Sequence, residues 1–340
     1  MRNFDDIKDQ LDEEGYARLE SVVPPAAFDA LEAAYAAALE ERIREWKARG
    51  KVRQDFVCEN GFKESILMLC KEDDFPRELL SELDATVPHK PFAIPRSDYR
   101  FCLPQAFLDL IKGNALLDCM ETIIGSEIAA SPNQHCRIKL PQEMTSGAFR
   151  VRPGETIFSR TMWHQDISTQ VQQSDETRLI TVWIPTQDVS EQDGCLIVAP
   201  GQHKNQQLLP IPIPPEELSA LEKHFLPLPC KRGDAILLDR RLPHSALPNL
   251  AGRVRWSFDV RLYPAGQPSD RPWLPSILLR STSQPEKVMT NADDWKEEWV
   301  AACKNLVESN SVMPGRREFA MFMAESMILS WEEGNYPVYA

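Results

Sequence analysis

His164, Gln165 and Asp166, followed far downstream by His244 and then Arg255, are residues whose types and spacing could do chemistry. Two imidazoles and one carboxylate on one face of an octahedron form the facial triad of non-haem Fe(II) oxygenases, which leaves positions open for a co-substrate and O2. Side chains two apart on an extended segment point the same way. His164 and Asp166 can therefore face one metal while Gln165 turns away, and His244 must arrive from a strand folded back beside them. Arg255 carries a guanidinium fork that can grip a carboxylate through paired charge-assisted hydrogen bonds. A dicarboxylic co-substrate such as 2-oxoglutarate would chelate iron at one end and meet Arg255 at the other. On this reading His164, Asp166 and His244 are at once the metal ligands and the catalytic centre.

His-x-Asp alone is a weak signal, and lone histidines such as His89, His203 and His224 are more often surface or satisfied core residues. The flanking elements add the weight. Residues 178–185 form a strongly β-prone run and Asp234–Asp239 a short buried strand ahead of His244. From Arg253 to Tyr263 the chain alternates. Arg253, Arg255, Ser257, Asp259 and Arg261 share one face, and Val254, Trp256, Phe258, Val260 and Leu262 the other. That is a half-buried antiparallel strand whose polar face lines a working interior. Residues 131–141 alternate too, with Asn133, His135, Arg137 and Lys139 on the polar face. Lys139 or His135 is expected to line the co-substrate pocket; the competing reading is a rim strand whose charges meet solvent. His135 as a substitute iron ligand lacks a partner at the His-x-Asp spacing.

Helical patterns surround these strands. They cover residues 26–49, 64–72, 76–84, a single helix over 105–124 closed by Gly125, then 215–224, 293–308 and 316–333. Pro210, Pro212, Pro214 and Pro215 mark an excursion between strands, because proline cannot donate to a ladder. Trp295, Trp299, Phe319, Phe322 and Trp331 recur at near-helical spacing and pack on the strands or form a lid. Arg280 stands in a non-helical approach from which it could reach the pocket.

Several short motifs, in order and spacing, resemble the phytanoyl-CoA dioxygenase family of Fe(II)/2-oxoglutarate oxygenases. They are Leu11–Tyr16 with Val22-Val23-Pro24, Trp163-His164-Gln165-Asp166, Val182-Trp183-Ile184-Pro185, Asp193-Gly194-Cys195-Leu196, Pro200-Gly201-Gln202-His203, His244-Ser245, and Arg255-Trp256-Ser257. Gln202 departs from the family's usual Ser. The likeness covers roughly residues 8–265. It implies a mainly β fold, a double-stranded β-helix (jelly-roll, cupin-like) with helical additions at both ends. It also implies Fe(II) on His164, Asp166 and His244, and 2-oxoglutarate held by Arg255 with Ser257. Lys139, His135 and Trp183 would stand around the co-substrate. The reaction implied is oxidation, first of all hydroxylation, of a C–H bond with release of succinate and CO2; desaturation, ring formation and endoperoxide formation use the same machinery. Halogenation is disfavoured, since the family's halogenases replace the carboxylate that Asp166 supplies.

The whole chain bounds this reading. Its 340 residues, 43% of them hydrophobic, can build a sizeable core as one oxygenase domain. The expected parts are a helical N-terminal part at 1–126, a barrel at 127–265 and a helical extension at 266–340. A net charge of −13 disfavours nucleic acid and anionic membranes as partners. A small or medium metabolite is the expected substrate, and the protein is expected to be a monomer or homodimer. Arg137, Lys139, Arg152, Arg160 and Arg255 can still make the pocket locally positive. Eight scattered cysteines without a C-x-x-C pair, and no signal peptide ahead of Asp5, fit reduced thiols in a cytoplasmic enzyme. Zn(II)-activated hydrolysis and a non-catalytic metal- or 2-oxoglutarate-binding sensor are the rival classes. The first leaves Arg255 unexplained, and the intact triad argues against the second.

Overall fold

The computed structural model describes residues 4–58, 61–72, 75–86, 100–145, 161, 163–205, 207–210, 213 and 215–309. Helix α1 (Asp5–Glu14) stops at Gly15, whose positive φ of 80° lets the chain turn back into strand β1 (Tyr16–Leu19). Helix α2 (Pro25–Ala48) opens on proline, where a missing N–H costs nothing, and buries Phe28, Leu31, Tyr35, Leu39, Ile43 and Trp46 along one side. Helix α3 (Phe62–Lys71), a 3₁₀ turn at Arg77–Leu83, and helices α4 (Gln105–Ile111) and α5 (Asn114–Ile124) follow. The single helix expected over 105–124 is thus two. Gly113 is extended (ψ 125°) and parts them, because glycine is a poor helix former. The break lets Phe107 and Ile111 on one piece, and Leu116 and Met120 on the other, all reach the core.

The remaining elements are β2 (Ile128–Ala130), β3 (His135–Lys139), α6 (Gln142–Thr145), β4 (Ile180–Pro185), β5 (Leu196–Val198), α7 (Pro215–Leu221), β6 (Leu226–Leu228), β7 (Ala235–Asp239), β8 (His244–Ala246), β9 (Arg255–Pro264), β10 (Ile277–Arg280) and α8 (Ala292–Glu308). The large sheet runs β1-β7-β4-β9-β2-β10, with β3 also on β9, and the small one runs β6-β5-β8. Every strand pairing is antiparallel. This is the expected helix-flanked double-stranded β-helix, left open rather than closed into one continuous barrel. Two strands extend it beyond the expected 127–265. The alternating Tyr16–Leu19 run pairs with β7, and β10 pairs with β2.

Strand β9 organises the interior. One side of it is flanked by β4, and the other by β3 and β2 lying end to end. Its apolar row (Trp256, Phe258, Val260, Leu262) enters the main core under the helices. There Trp256 and Phe258 meet Tyr35 with ring centroids 5.1 and 5.5 Å apart. Trp295 and Trp299 of α8 are fully buried in the same core. A second apolar cluster, including Trp183, Leu238, Leu196 and Ala246, fills the space between the sheets. The polar row of β9 opens into that space.

Gly194, just ahead of β5, has φ 74°, and a Cβ there would lie 2.5 Å from the Leu247 carbonyl oxygen. Gly194→Ala is expected to lower stability by about 2 kcal/mol or more, since both strain and overlap must be relieved. An unchanged thermal midpoint would contradict this.

All eight cysteines are unpaired. Among the described residues no helix is long and apolar enough to cross a membrane. Arg280 does not reach the interior. Its guanidinium pairs with Asp118 (2.8 Å) and Glu121 (2.9 Å) of α5, because β10 is an outer strand of the sheet and turns this side chain toward that helix. The expected helix at 316–333 with its aromatic residues, and Arg152, Arg160, His89, Pro212 and Pro214, lie outside the described residues.

Candidate metal centre

His164 and His244 are joined by a pair of backbone hydrogen bonds, each N–H donating to the other's carbonyl at 3.0 Å. Residues directly opposed in an antiparallel bridge project to the same side, so the two imidazoles meet, with ring centroids 4.3 Å apart. Gln165 is extended and places Asp166 back on that side. Gln165 itself turns away. Its amide donates to the Arg241 carbonyl (2.7 Å) and accepts from Leu209 N–H (2.9 Å). One ligand atom from each of His164, Asp166 and His244 lies within 4.8 Å of the others.

The surroundings prepare these groups to bind a cation. His244 Nδ1 lies 2.9 Å from the Leu242 carbonyl. A carbonyl can only accept, so Nδ1 carries the hydrogen and Nε2 keeps its lone pair. Burial, and then the neighbouring His164, push the His244 pKa down to about 4, so the ring is neutral near pH 7. Burial alone would raise the Asp166 carboxyl. Arg261, followed by His164 and His244, overturns that and holds it well below the usual carboxylate range. Arg261 Nη2 donates to Asp166 Oδ1 at 3.0 Å, and the Thr181 hydroxyl donates to Oδ2. Two imidazoles and one ionised carboxylate form a donor set that fits a divalent transition metal.

Arg255 and Ser257 stand further back along β9. Arg255 is 4% exposed; among the described residues its guanidinium makes one hydrogen bond, from Nη1 to Ser257 Oγ at 2.6 Å, and its Nε has no partner. Among the described residues no carboxylate pairs with it. Burial pushes its pKa down to about 10, which still leaves it charged at neutral pH. Trp183 lies under the guanidinium, with the ring centroid 5.6 Å away, and its Nε1 also donates to Ser257 Oγ at 3.1 Å. Ser257 oxygen therefore accepts twice, and its own O–H remains to donate. A buried cation without a counter-ion, beside a spare hydroxyl donor, fits an incoming carboxylate.

The triad, Arg255 and Trp183 line one cavity with about 450 Å³ of empty space, some of it open to solvent. Leu196, Leu238 and Ala246 supply apolar wall. Neither Lys139 nor His135 is among its lining residues. Lys139 is buried and donates to the Leu247 carbonyl, and His135 Nδ1 meets Asp84 Oδ2 at 2.9 Å. The lining contribution of β3 comes from Arg137, which pairs with Asp259 at 2.7 Å. Thr181 and Arg261 are site residues that the sequence reading did not single out for a role. The alternation of β9 put Arg261 on the right face, but only the β4–β9 register, which sets Thr181 opposite Arg261, shows that the two converge on Asp166.

The sequence pattern of the phytanoyl-CoA dioxygenase (PhyH) family matches residues 11–257. Among solved structures, the apo form of the non-heme monooxygenase ThoJ is similar, with 13% identity and a TM-score of 0.52 over 89% of this chain and 98% of that one. Its nickel complex gives 12% identity and a TM-score of 0.50 over 90% of this chain and all of that one. At such identities these likenesses speak to the fold. The family match, which spans most of the chain, makes it a member of the phytanoyl-CoA dioxygenase family of Fe(II)/2-oxoglutarate-dependent oxygenases.

Proposed function

We propose that the chain acts as one oxygenase domain that oxidises, and most directly hydroxylates, a C–H bond of a small or medium metabolite. His164, Asp166 and His244 hold Fe(II), and Arg255 with Ser257 holds the far carboxylate of 2-oxoglutarate. Iron bound there supplies the activation of O2, coupled to decarboxylation of 2-oxoglutarate to succinate and CO2. The protein's part is positional. The Leu242 carbonyl selects the His244 tautomer, while Arg261 and Thr181 fix Asp166 in its ionised form. Trp183 seats the guanidinium of Arg255, and the apolar wall keeps water from the reacting groups.

The observation that carries this reading is Arg255, a buried guanidinium facing the same cavity as the triad and, among the described residues, without a carboxylate partner. A hydrolase has no use for that second anion site, and the intact triad argues against a sensor. The test is succinate formation by Fe(II)-loaded protein given 2-oxoglutarate, O2 and a pooled metabolite library. Succinate dependent on one member supports the reading. Failure of 2-oxoglutarate to bind at all would sink it. Thr181→Val should loosen Asp166 and weaken metal retention by about 10–100-fold. Metal titration followed by tryptophan fluorescence checks this, and unchanged retention would remove Thr181 from the site.

A further inference from the structure

The segment that carries His164 and Asp166 has a second face, and that face is built over. Gln165 stands between the two, extended and 1% exposed, with its side chain on the back. Both ends of its amide are used. Nε2 donates to the Arg241 carbonyl at 2.7 Å, a short way ahead of His244, and Oε1 accepts from the Leu209 N–H at 2.9 Å. Leu209 belongs to the excursion between β5 and β6. Its carbonyl accepts from Ser168 Oγ at 3.3 Å, so side chains on either side of Asp166 take both backbone groups of Leu209.

The apolar packing shows what the excursion covers. Trp163 precedes His164 and stacks on Phe225, with ring centroids 4.0 Å apart and planes 13° apart. Leu196 and Val198 of β5 join the cluster between the sheets. Ile197 points the other way, as alternation requires. With Trp163, Ile213 and Leu221 it forms a separate cluster, against which Leu209 and Phe225 pack. The small sheet is thus a middle layer, with the metal cavity in front of it and the described residues of the excursion behind.

We infer that the excursion is coupled to metal binding through Gln165. An ion seated on His164, Asp166 and His244 and the docking of Leu209 and α7 favour each other, and Gln165 is the positioning residue that links them. This rests on the metal reading of the triad. The strands of the small sheet are three residues long, and such strands open easily. The placement of the triad on that side therefore depends on what the sheet packs against. An ion that fixes residues 164–166 from the front also fixes Gln165, which then holds Leu209 with no further ordering. Undocking Leu209 would take away the donor to a buried amide oxygen, and that penalty ties the two events together. Coupling of this kind is reciprocal, so a docked excursion must strengthen metal binding as much as the ion strengthens docking.

Two measurements on the full chain test the inference. The first is amide hydrogen exchange at Leu209 and across α7, with and without Mn(II). In wild type the ion should slow exchange there by about ten-fold, within the range typical of coupled sites. Gln165→Met keeps the side-chain length and loses both hydrogen bonds. In that variant the apolar cluster should still dock α7, but exchange should no longer respond to Mn(II). The second is Mn(II) affinity by titration calorimetry. Gln165→Met and Phe225→Leu should each bind the ion several-fold more weakly, although Phe225 packs behind the sheet and the triad faces the front. If Gln165→Met does not fold, Phe225→Leu decides alone. Exchange that ignores Mn(II) in wild type overturns the inference. So do variants that lose thermal stability yet bind Mn(II) as wild type does, since the excursion would then be structural only. Failure of wild type to bind Mn(II) at all strikes the triad as a metal site, and the inference falls with it.

Discussion

Replacing His244 or Asp166 by alanine is expected to abolish succinate formation, but the two variants should differ in stability. Removing His244 takes away one proposed ligand and leaves no charge unpaired, because its ring is neutral near pH 7. Removing Asp166 also strips the buried Arg261 of its counter-ion. Breaking a buried pair from one side costs about 3–5 kcal/mol. Asp166→Ala should therefore show a clearly lower denaturation midpoint than His244→Ala. Adding Arg261→Met should return much of the stability without returning activity. Turnover in either single variant would remove the triad assignment. Equal midpoints would show that Arg261 does not depend on Asp166.

The second large effect is at Arg255. Arg255→Ala should raise the 2-oxoglutarate concentration needed for half-saturation by roughly 30-fold or more, from a loss of about 2–5 kcal/mol when one partner of a buried charged pair is truncated. Binding titrations on the metal-loaded protein measure this. The ligand-free variant should not lose comparable stability, since among the described residues Arg255 has no ion pair to break. A half-saturation unchanged from wild type would contradict the assignment, and so would a ligand-free protein that collapses.

What could be read from the chain beforehand was whatever is local. The alternation of β9 separates Trp256 and Phe258 from Arg255, Ser257, Asp259 and Arg261, and a two-residue period is visible in any linear string. His164 and Asp166 share a face for the same reason. Contacts set by register between distant strands were not legible. Thr181 meets Asp166 because β4 and β9 pair in one particular register, and nothing near residue 181 announces it. The counterpart of His135 is Asp84, which follows a 3₁₀ turn far upstream, so the side chain expected at the pocket is held by a carboxylate instead. The break at Gly113 is masked in the pattern because apolar residues continue on both sides of it. Lys139 sits on the expected strand directly opposite Arg255. Periodicity assigns it a face but not the Leu247 carbonyl that takes its ammonium.

The two sheets contribute unequally to the triad. His244 belongs to β8 in a sheet of three-residue strands, and His164 is bridged to it. Asp166 is instead fastened to the large sheet, through Arg261 of β9 and Thr181 of β4. Short strands with few neighbours open at low free energy, whereas the long central strands of a core do not. An ion held by all three residues would therefore act as a clasp between a yielding wall and a rigid one. Its binding energy would go into keeping the mouth of the sandwich shut as well as into holding the ion. Without it, the small sheet would breathe against the large one, and the surfaces that meet a substrate would be the first part of the molecule to loosen.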